Sequence, residues 1–337
     1  MPLDYKQIVG NQEDWANTIT NVEMAETPFL DWLPVGDEPV NVEYSYQADF
    51  YRDPQVNSHV DGQPVSGFKS AGEQRGRLRS LIHYFSNTAS ATTLQQDVTN
   101  VAGVNDELAR EITKGTKELS RDFEAAFLED DDHREGNTTQ GYMTRGVGAW
   151  VANGAQALYP VPADFRPPTT SISTTATAGL TENVILDILE SQGQVTKSNA
   201  LKTGFVGQKL KRAFNNMPLF TPASTLVGGS PTGATGVVYS KDLSDRAIGR
   251  TMERYNSDFG PIDLVISWFN VSLGGNAIER AYSGFFLHQK MWKLRWNQKP
   301  IWRRLEYKGG SHDAFCEAIA MLVCLNPKGE AKYQPTT

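Results

Sequence analysis

Cysteine is almost absent. The 337 residues hold two, Cys316 and Cys324. If both lie on one strand, they stand about 26 Å apart at roughly 3.3 Å per residue. A disulfide needs Cα atoms within about 7 Å, so a disulfide scaffold is excluded, and free thiols suit a reducing compartment. Long apolar runs are also missing. The longest, Ala318 to Leu325, falls well short of the roughly 20 residues that span a bilayer and reads as a buried strand. The opening Met1-Pro2-Leu3-Asp4-Tyr5 has neither the basic nor the apolar part of an export signal. Neither membrane insertion nor export is expected, and the sequons at Asn137 and Asn270 are set aside. Net positive charge is lacking too: 32 Lys and Arg face 39 Asp and Glu, leaving −7 and a pI near 5.4. That excludes a chain basic throughout and built to coat nucleic acid.

Catalytic constellations are equally scarce. No GxxxxGK[ST] loop is present, and the glycine-rich Val227-Gly228-Gly229-Ser230-Pro231-Thr232-Gly233 lacks the lysine. The five histidines, His59, His83, His133, His288 and His312, show no paired metal-ligand spacing. Asp131-Asp132-His133 reads as an acidic helix end in solvent rather than a cation site. Ser311-His312-Asp313 has triad residue types, but consecutive side chains diverge, so it reads as a polar turn after Gly309-Gly310. No catalytic, cofactor-binding or metal-binding residue is expected, and the chain is not expected to be an enzyme.

What is present is a soluble globular composition, 39% hydrophobic and 21% charged, with a mean hydropathy of −0.43. The charge is unevenly placed. Residues 1–68 carry 12 acids and only Lys6 and Arg52 as bases. Within residues 1–39 the apolar residues come in short clusters, the last being Phe29, Leu30, Trp32 and Leu33. This is too little for a separate core, so the segment reads as an arm that lies on something else.

Residues 40–50 alternate. Val40, Val42, Tyr44, Tyr46, Ala48 and Phe50 fall on one face, which predicts a strand. A second strand is expected at Leu78–Phe85, and the Gly- and Pro-rich stretch between makes the pair a long hairpin with a mobile tip. A lone two-stranded hairpin is marginal in water. Arg75, Arg77 and Arg79 stand on its returning side and could meet acidic residues of a neighbour. Residues 104–130 hold the best helix, with Val104, Leu108, Ile112, Leu119, Phe123 and Phe127 on one stripe and Gly115 as its weak step. Thr169–Gly179 reads as a polar connector. A helix with Thr181 as N-cap and Leu180 stapled to Ile185 is expected to close at Gly193, and another helix is expected near 205–216. Strands are expected at Ile262–Phe269, Phe285–Leu294 and Phe315–Leu325, followed by a polar tail.

Segment 290–308 holds seven bases (Lys290, Lys293, Arg295, Lys299, Arg303, Arg304 and Lys308) against the single acid Glu306, with Trp292, Trp296, Trp302 and Tyr307 interleaved. Such a mixture can grip single-stranded nucleic acid. The plainer reading is a strand, with Trp292 and Trp296 inward and Lys293 and Arg295 outward.

Five short motifs, in order, carry a family resemblance: Ala25-Glu26-Thr27-Pro28-Phe29, Glu118-Leu119-Ser120-Arg121-Asp122-Phe123-Glu124, Thr144-Arg145-Gly146-Val147-Gly148-Ala149-Trp150, Tyr255-Asn256-Ser257-Asp258-Phe259-Gly260, and Ala318 to Asn326 ending in Asn-Pro. Together they resemble the major capsid proteins of tailed bacteriophages with the Hong Kong 97 fold, in the branch of phage SU10. The resemblance implies an α+β fold with an N-terminal arm (1–39) and an extended-loop hairpin (40–90). A peripheral domain (91–180) would follow, with its spine helix at about 104–130. A mixed α/β axial domain (181–312), a return strand (313–330) and a tail (331–337) would complete the chain. It implies hexamers and pentamers of this chain closing into an icosahedral virion shell around double-stranded DNA, assembled in the bacterial cytoplasm. Phe29, Leu30, Trp32, Leu33, Arg75, Arg77 and Arg79 would be candidate intersubunit contacts. Portal and decoration proteins would be partners, and, without the long N-terminal assembly domain that some relatives carry, scaffolding would be a separate protein or a removed segment. No crosslink is expected, although Lys69 lies in the hairpin tip. The alternatives are a single-stranded nucleic-acid-binding protein using 290–308, and an encapsulin-like cellular shell, since fold alone does not settle function.

Overall fold

The computed structural model describes residues 26–49, 51, 54, 56, 58–64, 75–97, 106–216, 253–269, 277–307 and 309–335. Lys69, Val104, Lys308 and the glycine-rich stretch 227–233 lie outside them. In chain order the elements are α1 (Pro28–Trp32), β1 (Glu43–Ala48), β2 (Gly76–Leu81), β3 (His83–Thr92), α2 (Thr93–Asp97) and α3 (Glu107–Phe127). Next come α4 (Val147–Trp150), β4 (Ile172–Ser173), α5 (Glu182–Thr196), β5 (Lys202–Val206) and α6 (Gln208–Asn216). The last are β6 (Arg254–Ser257), β7 (Gly260–Ile266), α7 (Ala277–Tyr282), β8 (Gly284–Leu287), β9 (Trp292–Arg304), β10 (Ser311–Cys324) and β11 (Ala331–Tyr333). The chain forms two compact units.

The larger unit takes residues 27–84, 123–297 and 320–337. Its six-stranded sheet has the order β4-β11-β8-β5-β7-β6. β5 runs parallel to β7 and antiparallel to β8, and β11 joins antiparallel β8 to parallel β4. Phe205, Phe285 and Phe286 on the central strands are fully buried. α5 covers the sheet with Ile185, Ile188 and Leu189, and α6 adds Leu210 and Phe214 to the same core. That spacing puts one apolar stripe on each helix.

α5 does not close at Gly193. It runs on to Thr196 and ends where Lys197 takes a left-handed φ of +51° and donates its N–H to the Gly193 carbonyl at 2.8 Å. A glycine inside a helix costs only about 1 kcal/mol. Here Gln192 fastens the final turn, its Nε2 donating to the carbonyls of Phe286 and Gly329, each at 2.9 Å.

The polar connector and the polar tail are likewise corrected. Ile172-Ser173 is edge strand β4, and Ala331-Lys332-Tyr333 is an interior strand. β11 escapes pattern reading because it has three residues and a lysine at its centre. The buried Lys332 Nζ is satisfied by Asp130 Oδ1 at 3.2 Å and by the Gly148 carbonyl at 2.9 Å. The expected hairpin forms, with Glu43 opposite Leu81 and Ala48 opposite Gly76. Val40 lies outside the strand and is exposed, and the return splits into β2 and β3 at Ile82.

The smaller described unit takes residues 26, 85–97, 106–122 and 298–319, Lys308 excepted. It contains parts of the three-stranded sheet, in the order β3-β10-β9, and most of α3. Asp106 caps α3 by accepting from the Ala109 N–H at 2.9 Å. Gly115, the weak step of the helix stripe, is where the Trp302 ring lies. A Cβ there would stand 2.8 Å from the indole edge. The indole Nε1 donates to Thr116 Oγ1 and the Asn87 amide to the Gly115 carbonyl, each at 2.9 Å. Gly309 and Gly310, with φ near +90°, make the turn into β10. Ser311, His312 and Asp313 are therefore the first residues of that strand rather than the turn itself.

Candidate interaction surfaces

The described part of the arm, from Glu26 on, packs on its own chain. Phe29 is fully buried and Leu33 nearly so, while Leu30 and Trp32 are half-buried. The Phe29 and Trp32 rings each meet Phe205 edge-on at a centroid distance of 5.1 Å, and Trp32 Nε1 donates to Thr203 Oγ1 at 3.0 Å. Both partners lie on β5, in the stretch expected to be the axial domain, whereas Glu124, which receives N–H groups of α1, lies in the stretch expected to be the peripheral domain. Within the single chain Phe29 and Leu33 are thus enclosed, while Leu30 and Trp32 keep part of their surface exposed. Pro28 starts α1, where a missing N–H costs nothing. The next two N–H groups, of Phe29 and Leu30, donate to the two oxygens of Glu124 at 3.0 and 2.8 Å.

The hairpin arginines already have partners on β1 and just after it. Arg75 lies 3.4 Å from Asp49, Arg79 3.4 Å and Arg77 3.6 Å from Glu43. Arg77 also donates to Ser45 Oγ at 2.7 Å. Arg75 and Arg77 keep more than half of their side-chain surface exposed, so their guanidinium groups remain open to a neighbour. Arg79 is more enclosed, stacked 4.8 Å over the Tyr159 ring.

The basic-aromatic segment is a strand, as the plainer reading expects. Trp292 is fully buried, Trp296 meets Phe123 edge-on at 5.1 Å, and Lys293 is exposed. Arg295 departs from expectation. It is buried, lies 3.8 Å over the Tyr44 ring and donates to the Asp37 carbonyl at 2.6 Å. The outward face of this strand is covered by the hairpin base and by residues 34–37, which pair with Leu294 through both of its backbone groups. With Trp292 enclosed and Arg295 engaged, this half of the segment offers no stacking platform for bases.

The Thr144–Trp150 motif works as a clasp. Arg145 is fully buried, donating to Asp132 Oδ1 at 2.7 Å and to the Leu158 and Tyr159 carbonyls at 2.9 and 3.2 Å, and lies 4.7 Å over Trp150. Gly146 and Gly148 donate backbone bonds to Asp131 and Glu129, each at 3.1 Å. A Cβ at either glycine would run into residues 129–130, at 2.1 and 1.7 Å. The acidic run is thus no solvated helix end: Asp130 holds Lys332 and Asp132 holds Arg145. Among the described residues no group of His, Cys, Asp and Glu is placed to hold a metal ion, and no helix is long and apolar enough to cross a membrane. A groove of about 600 Å³ between residues 169–175 and α5 is lined by groups such as Ser173, Thr175, Asp187 and Glu190, without histidine, cysteine or lysine.

The family model of the SU10 major capsid protein matches residues 4–337. The chain belongs to that family. It is a major capsid protein, a self-assembling component of phage virions. No curated protein matches the sequence. Among solved structures, the capsid of cyanophage P-SCSP1u is similar at a TM-score of 0.60 and 10% identity, covering 97% of this chain and 93% of that one. Mycobacterium phage Bobi gives 0.60 and 9%, covering 97% and 96%. The capsid of a native GTA particle gives 0.59 and 13%, covering 96% and 94%. At such identities these neighbours show the fold, which is of the expected Hong Kong 97 type.

The motifs that carried the resemblance are largely closure points of this subunit. Phe29 of the first meets Glu124 of the second, and Arg145 of the third locks the chain after α3. In the fourth, Gly260 at φ +109° turns β6 into β7, with Ser257 Oγ donating to its carbonyl at 2.7 Å. Arg295, Lys332 and Gly115 fall outside the motifs. Their signal is a basic or small residue where the surrounding pattern calls for another type.

Proposed function

We propose that the subunit forms hexamers and pentamers that close into an icosahedral head around double-stranded DNA, with no catalytic turnover. The observation that carries this is the match of a major-capsid family model to nearly the entire chain. The described hairpin supports a role as the extended loop, reaching a neighbouring copy through Arg75 and Arg77. The smaller unit with α3 supports a peripheral-domain role, and the six-stranded sheet an axial-domain role. A scaffolding protein, a portal and a decoration protein are proposed as partners, with DNA held by non-specific contact. Purified chain should elute as rings or megadalton particles, and its images should show closed shells. Elution at the 37.3 kDa chain mass under all assembly conditions would refute the proposal.

A further inference from the structure

We infer that the Glu124 carboxyl is a proton-operated clasp for the arm: protonated, it holds α1 against β5, and ionised, it loosens that hold. Glu124 is fully buried beneath Phe29, itself fully buried. Its oxygens receive the Phe29 and Leu30 N–H groups at 3.0 and 2.8 Å and the Ser267 hydroxyl at 3.3 Å. The remaining ties of α1 are the Phe29 and Trp32 contacts with Phe205, the Trp32–Thr203 bond, and the Gln289 amide donating to the Trp32 carbonyl at 2.7 Å. Glu124 is thus the one ionisable group that receives backbone N–H groups of α1 among the described residues.

The charged group acting on it from α1 is Asp31, whose carboxylate repels a second negative charge. The segment after β7 presents the neutral Ser267. β5, against which Phe29 and Trp32 pack, presents Phe205 and Thr203, also uncharged. Burial is the largest influence and Asp31 adds to it. The three hydrogen bonds oppose them without prevailing, and the carboxyl is pushed up to about 7.

Withdrawing Phe29 opens the carboxyl to water and returns it towards the ordinary carboxylate range. The docked arm therefore binds a proton that the undocked arm releases, so docking tightens as pH falls through 7. One solvent proton moves onto a carboxylate oxygen. The acid then retains an acceptor for the backbone N–H groups and gains an O–H that Ser267 Oγ can accept.

The test is hydrogen exchange at the Phe29 and Leu30 amides of the full-length chain, from pH 5.5 to 8.5, corrected for intrinsic rates. Protection should fall by up to about tenfold per pH unit as pH rises towards 7 and level off above it, where both the docked and the undocked carboxyl are ionised. Glu124→Gln, the same shape without the charge, should stay protected across the range. Glu330→Gln should keep the wild-type profile, although Glu330 is another fully buried carboxyl pushed up to about 7. Should Glu124→Gln fail to fold, Asp31→Asn serves instead, and its midpoint should lie below the wild-type one. A flat wild-type profile, an unchanged slope in Glu124→Gln or an unmoved midpoint in Asp31→Asn would overturn the inference. All readouts come from unassembled subunits, so they stand apart from the shell proposal.

Discussion

Two sets of arginines in this subunit carry the same charge and do opposite work. Arg75, Arg77 and Arg79 sit on the returning side of the hairpin, reach carboxylates at 3.4–3.6 Å and leave roughly a third to more than half of each side chain in water. Arg145 and Arg295 are buried, with shorter bonds and an aromatic ring against the guanidinium. Exposed pairs contribute about 0–1 kcal/mol each. Stranding one partner of a buried pair costs about 3–5 kcal/mol. The first set can therefore be changed with little effect on the fold, and the second cannot be disturbed without opening it.

The harshest test of the contrast is Arg145→Ala. It strands Asp132 and leaves the Leu158 and Tyr159 carbonyls without their donor, so a loss of about 3–5 kcal/mol is expected. Chemical denaturation of the soluble subunit would measure it, and insoluble expression would agree. Trp292→Ala should be comparably damaging, at about 3–5 kcal/mol, because it empties a fully buried site. If either variant melted like the wild type, the division into buried and exposed sets would fail.

Arg295→Gln sharpens the comparison within one strand. The change removes the guanidinium from the Tyr44 ring and from the Asp37 carbonyl, for an expected loss of about 1–3 kcal/mol. The neighbouring Lys293→Gln should change little, since Lys293 is exposed. Paired thermal melts decide it, and equal effects would mean that the strand's outward face is open to solvent after all.

The alternation across residues 292–296 correctly separates the two faces of β9, yet it cannot say what covers the outer one. That cover comes from residue 37 and from Tyr44, more than 240 positions earlier, and no local pattern contains it. The long elements were legible because their periods repeat: the α3 stripe, the Tyr44–Tyr46 alternation and the apolar run of β10. β11 was illegible because three residues carry no period, and its buried lysine depends on Asp130 across 200 positions. The arm cluster was visible as apolar residues needing a partner. That the partner would be β5 and a glutamate of α3 was not, although Glu124 stood in plain view within a family motif.

The gentlest change, and the one that bears on assembly, is reversal of Arg75, Arg77 and Arg79 to glutamate. Within the subunit it would place like charges beside Asp49 and Glu43, a repulsion worth tenths of a kcal/mol to about 1 kcal/mol per pair. The monomer should therefore fold, with melting little changed at moderate salt. In a shell the same contacts recur in every copy, so a small loss per subunit accumulates across the particle. Assembly yield, followed by light scattering, should fall more at 50 mM than at 500 mM salt, because screening weakens the new repulsion. A yield lost equally at both salts would instead make the hairpin a packing element, whose docking depends on shape and burial. A yield unaffected at either salt would show that these three charges serve only their own hairpin.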